Sequence, residues 1–69
     1  MQCSIKHHAG AIMRANDRVI NTDKFWSGRV QRKIGVFAEI NVGTGIPRVI
    51  FMSNYEFCGK RNCYVNKRG

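Results

Sequence analysis

The sequence predicts a β-rich α+β domain, a small antiparallel meander of three to four strands with one N-terminal helix. An all-β small barrel is the alternative. Three observations lead there: strict alternation of apolar residues from Ile34 to Val42, further short β-branched and aromatic segments separated by turn residues, and a helical spacing of apolar residues over positions 9–20. With 69 residues the chain is one domain spanning positions 1–69. A domain this small buries only about 60% of the surface its unfolded form exposes, so support from a disulfide, a metal, an oligomer or a partner is expected.

In chain order, Ala9, Ile12, Met13, Val19 and Ile20 share one side of a 3.6-residue helix, with Arg14, Asp17 and Arg18 opposite and Asn21 as its end. Gly10 weakens that helix by about 1 kcal/mol relative to Ala. The stretch AIMRANDRVI also suits a hairpin closing at Asn16 and Asp17, which is the route to the barrel. In IGVFAEINV, Ile34, Val36, Ala38, Ile40 and Val42 alternate with Gly35, Phe37, Glu39 and Asn41, predicting a single strand with one buried face. GTGIP then supplies Gly43 and Gly45 for a loop. RVIFMS, residues 48–53, reads as the returning strand, with Pro47 at its start and Asn54 at its end. YEFC and CYVN form two short strands joined by Gly59, Lys60, Arg61 and Asn62, a loop of hairpin length.

Charge points to function more directly than the elements do. Twelve Lys and Arg face four acids, a formal charge of +8, and the excess lies in two blocks. Lys24, Arg29, Arg32 and Lys33 come with no acid between them, as do Lys60, Arg61, Lys67 and Arg68, and a nearly neutral apolar stretch separates the two. Such a layout attracts polyanions. Each block also carries aromatics, Phe25 and Trp26 in the first and Tyr64 in the second. Cations neutralise phosphates while an exposed ring stacks a base, a mixture suited to single strands.

The expected function is therefore backbone-dominated binding of RNA or single-stranded DNA with little sequence specificity. The expected contacts are Lys24, Trp26, Arg29, Arg32, Lys33, Lys60, Arg61, Tyr64, Lys67 and Arg68. A phage or mobile-element protein, or a component of a ribonucleoprotein, fits this description. The competing readings are an inhibitor or adaptor docking on an acidic protein, with residues 48–53 adding to another sheet, and a secreted cationic peptide stapled by Cys58 and Cys63.

Catalysis finds few ingredients. The carboxylates are Asp17, Asp23, Glu39 and Glu56 alone, and GTG opens no helix that could cradle phosphate. His7 and His8 lie close to Cys3, but adjacent histidines near a thiol are the ordinary pattern of a surface, so no enzyme and no cofactor is expected. No membrane partner is expected either, since the apolar runs are only a few residues long. Three cysteines, an odd number, favour a cytoplasmic setting with free thiols. The spacing of Cys58 and Cys63 also permits a disulfide across the hairpin, or a zinc site completed by Cys3 and His7. The expectation is free thiols and no metal.

Overall fold

The computed structural model describes residues 12–67. They form one six-stranded sheet curled into a half-barrel, with a single 3-10 turn at Met52–Asn54. The strands are β1 (Arg18–Asn21), β2 (Trp26–Ile34), β3 (Phe37–Asn41), β4 (Arg48–Phe51), β5 (Tyr55–Cys58) and β6 (Cys63–Asn66). Across the sheet they run β4-β3-β2-β1-β6-β5. Every pair is antiparallel except β1 with β6, where Val19 aligns with Tyr64 and Ile20 with Val65 in parallel.

The α+β expectation with an N-terminal helix is overturned, because the described part of residues 9–20 is turn and strand; positions 9–11 lie outside the described residues. Local hydrogen bonds explain the outcome. Asp17 Oδ2 accepts the Arg14 N–H at 2.8 Å, the Asp17 N–H reaches Arg14 O at 3.1 Å, and Asn16 takes a positive φ of 74°. Asn and Asp compete with helix in this way through their short polar side chains. The turn then feeds the ladder directly: Asn16 N–H donates to Val30 O and Val30 N–H to Asp17 O, at 2.8 and 2.9 Å.

The long strand expected over 34–42 is also corrected. Gly35 at φ +60° and Val36 form a two-residue hairpin loop between β2 and β3, pairing Ile34 with Phe37. Glycine at the first of two loop positions is what the hairpin twist favours. A β-bulge at Gln31 explains why period-two counting fails here. Val30 pairs with Ile40, but Arg32 pairs with Glu39, so every β2 side chain after the bulge changes face. Arg32 and Ile34 consequently emerge on the outer face, whereas Ala38 and Ile40 keep to the inner one as the alternation predicts.

Two apolar clusters hold the sheet. The inner face packs Met13, Val19, Val30, Ala38, Ile40, Ile50, Tyr55 and Tyr64, with Trp26, Val42, Met52 and Phe57 at its margin. Cys58, Cys63 and Val65 form the second cluster with Ile20 against it. Val19, Val30, Ile40 and Val65 are the largest fully buried aliphatics, each contributing about 1.5–3 kcal/mol by burial. At Gly28 the curl brings β3 so close that a Cβ would lie 2.3 Å from Asn41 O.

Candidate nucleic-acid interface

The register of the first hairpin places arginines where a sheet would normally avoid them. Arg18 on β1 sits directly opposite Arg29 on β2, with both side chains on the outer face. Opposed like charges destabilise a strand pair. No carboxylate forms an ion pair with either one among the described residues; Arg29 Nη1 instead donates to Asn16 O at 3.1 Å. Arg61, from the β5–β6 turn, joins them around a cavity of about 310 Å³ lined also by Asn16, Asp17, Phe57, Asn62 and Cys63. Three guanidinium groups and the Asp17 carboxylate thus meet around one cavity.

The Cys63 thiol lines the same cavity. Burial pushes its pKa up, and the positive charges of Arg18 and Arg61 oppose the shift. Alongside, a shallow trough of about 430 Å³ shares Arg18 with the cavity and runs past Ile20 and Ser27 to Phe25. Phe25 is 90% exposed and holds a positive φ of 58°. A bulky residue spends free energy in that conformation, and here it secures no burial. Asn21 Oδ1 fixes the tight loop by accepting the Lys24 N–H at 2.8 Å, and the ring projects from this loop.

The ten residues expected to form the site do not converge on one surface. Arg29 and Arg61 meet at the cavity, together with Arg18, which helical spacing had assigned to the polar side of a helix. Lys24 and Trp26 line a different recess of about 240 Å³ with Arg48, and Trp26 also borders the trough beside Phe25. Arg32 is held by Glu39, Nε to Oε1 at 2.9 Å, so its charge is already answered. Lys33 lies on the far half of β2 beside Met13, Met52 and Tyr64. Lys60 is exposed in the β5–β6 turn, and the Lys67 N–H donates to Asn54 O at 2.8 Å. Arg68 lies outside the described residues.

Tyr64 is only 6% exposed and packs edge-on against Phe57 with centroids 5.2 Å apart, so it belongs to the core and offers no stacking surface. Burial raises its phenol pKa, with Asp17 adding to the shift and Arg14 opposing it. Reasoning from sequence missed Arg18, Arg48 and the exposure of Phe25. The turn residues in NTDK, which close the first hairpin, are the signal that would have aligned Arg18 with Arg29.

The cysteines differ from expectation. Cys58 is disulfide-bonded and Cys63 is a free buried thiol, so no bridge closes the hairpin although the two are register partners. With its sulfur in a disulfide, Cys58 offers no thiolate to the alternative zinc set, whose Cys3 and His7 lie outside the described residues. Among the described residues no group of three or more His, Cys, Asp and Glu side chains gathers for a metal, and no helix is long and apolar enough to cross a membrane. Comparisons with protein families, curated proteins and solved structures find no match to this chain.

Proposed function

We propose that the protein binds single-stranded RNA or DNA through its phosphates, with little base specificity, along the outer face of the β1–β2 hairpin. The observation that carries this reading is the Arg18–Arg29 pair, which faces Arg61 across a polar cavity. An anion seated there relieves the repulsion between opposed guanidinium groups and accepts their charge-assisted hydrogen bonds. Phe25 supports the single-stranded form of the ligand, because an exposed ring beside a phosphate grip stacks an unpaired base at about 1–3 kcal/mol.

A second reading, docking on an acidic protein, draws on β4, which among the described residues pairs with β3 alone. Its outward Val49 and Phe51 are exposed, Phe51 lying 5.1 Å from Phe37 between ring centroids. Recovery of the tagged protein from its native cells, with and without nuclease, separates the two. Partners lost on nuclease treatment support the arginine face, and a stoichiometric acidic protein that survives it supports the β4 edge. A cytoplasmic setting, suggested by the odd cysteine count, has the Cys58 disulfide against it, since thiols are kept reduced there.

A further inference from the structure

The recess between the tip of the first hairpin and β4 is separate from the arginine cavity and carries the two remaining cations of this end of the sheet. Lys24, Trp26, Arg48, Asn54 and Tyr55 line it, and its volume is about 240 Å³. The Arg48 guanidinium lies over the Trp26 ring, with Cζ 5.5 Å from the centroid. Trp26 is in turn tilted against Tyr55 at 6.4 Å, and the Tyr55 hydroxyl accepts a 2.7 Å hydrogen bond from Asn21 Nδ2. Asn21 is thereby occupied at both ends of its amide, since its Oδ1 takes the Lys24 N–H. The wall is preorganised. Among the described residues neither Lys24 nor Arg48 is in an ion pair.

We infer that Trp26 and Arg48 form a stacking platform for one unpaired nucleobase, with Lys24 on the phosphate that follows it. Trp26 brings an aromatic ring and Arg48 a planar guanidinium to the same recess, and bases stack on arginine planes as they do on aromatic rings. At about 240 Å³ the recess is smaller than the roughly 300–1,000 Å³ of drug-sized pockets, a size that fits one base. The ligand class rests on the nucleic-acid reading above, but the residues are different ones, so the two fail separately. Duplex nucleic acid keeps its bases stacked on one another and cannot use this platform, which makes the recess a device for preferring single strands.

Trp26 is the protein's one tryptophan; it lines both this recess and the trough that ends at Phe25, so a variant at Arg48, which lines only the recess, is what separates the two. The full chain is titrated with adenosine 5′-monophosphate, with inorganic phosphate, and with a labelled RNA oligonucleotide as single strand and as duplex, following both tryptophan emission and label anisotropy. Quenching by the nucleotide and the single strand, but not by phosphate, is the expected result. Arg48→Lys retains the charge over Trp26 and loses the plane. It should melt as the parent does, abolish the quenching and lower the preference for single strand over duplex at least about fivefold, the lower end of a base-stacking contribution. An unchanged preference in Arg48→Lys, equal quenching by inorganic phosphate, or a tryptophan silent to every ligand would overturn the platform. In each of those cases, RNA binding that persists by anisotropy leaves the Arg18–Arg29 reading standing. Nucleotide quenching without any oligonucleotide binding would uphold the platform and remove that reading instead.

Discussion

Gly28→Ala should overpack the fold as the same change at Gly35, Gly43 or Gly45, each in open space, would not, and opposing effects can be weighed to show why. The glycine has no positive φ to relieve, so alanine is conformationally acceptable and reduces the entropy of the unfolded chain, a gain of about 0.4–1 kcal/mol. Against this, the new Cβ would lie 2.3 Å from Asn41 O and 2.9 Å from Ile40 Cγ2. The Ile40 methyl belongs to a fully buried side chain, and the Asn41 oxygen is backbone, so neither moves alone. Restoring ordinary contact requires β2 and β3 to part by about 1 Å where both are central strands. Overpacking of this kind costs about 1–3 kcal/mol and occasionally more. An approach of 2.3 Å to a backbone atom puts the cost at the upper end of that range, about 3 kcal/mol, so the clash exceeds the entropy gain by about 2 kcal/mol. At roughly 4–8 °C per kcal/mol for a domain of this size, the Tm should fall by about 10–15 °C. Thermal melts followed by circular dichroism measure it, with Gly35→Ala as a control in open space that carries only the strain of φ +60°. A Gly28→Ala protein melting within 2 °C or so of the parent would refute the close approach of β3.

Phe25→Gly should leave the Tm unchanged or slightly higher, because it relieves the positive φ and removes no burial, while weakening single-stranded RNA binding by roughly 5- to 150-fold; equal affinity in an anisotropy titration would take Phe25 out of the interface. Stability should decline in alkali, since burial raises the pKa of Cys63 above 9.0 and those of Tyr55 and Tyr64 above 10.0. The protonated forms are favoured in the fold, so this contribution is complete below pH 9 and is lost as pH rises through the folded values; denaturant midpoints that stay level from pH 8 to 11 would contradict it. Protein purified without reductant should weigh two mass units less than its fully reduced form and show one thiol, reactive only after unfolding because Cys63 is 1% exposed. Three thiols in that preparation would refute the disulfide.

How much of this was legible in the sequence depends on whether local pattern and tertiary register agree. For β5 and β6 they do, since Gly59 to Asn62 close a hairpin between YEFC and CYVN, and for β4 they do in part: the strand expected over residues 48–53 starts after Pro47 but ends at Phe51, where Met52–Asn54 turns as a 3-10 segment. The β2 strand was hidden because its alternating inner positions are Trp26, Gly28 and Val30, an apolar pattern diluted by glycine and surrounded by cations. The bulge at Gln31 then reverses the faces, so Ile34 and Val36 match the period of the buried Ala38 and Ile40 without sharing their burial. Over residues 12–20 two periods competed, and the hydrogen bonds of Asp17 decided against the helix. The site was legible as charge and illegible as geometry. Composition singles out Arg29 and Arg61, but only the register brings Arg18 opposite Arg29, and only burial shows that Tyr64 is core while Phe25 is surface.

The central claim is that Arg18 and Arg29 grip phosphate, and its most direct test is the salt dependence of single-stranded RNA affinity for the parent and for Arg18→Ala/Arg29→Ala. Each phosphate contact on a single strand contributes about −0.7 to the slope of log K against log salt. With Arg61 as a third contact the parent slope should be about −2 or steeper. The double variant should be shallower by about 1.4 and bind more weakly at every salt concentration, with a Tm near the parent's because relief of the repulsion offsets loss of the Arg29–Asn16 hydrogen bond. A parent that does not bind at low salt, or a double variant with an unchanged slope, would contradict the account.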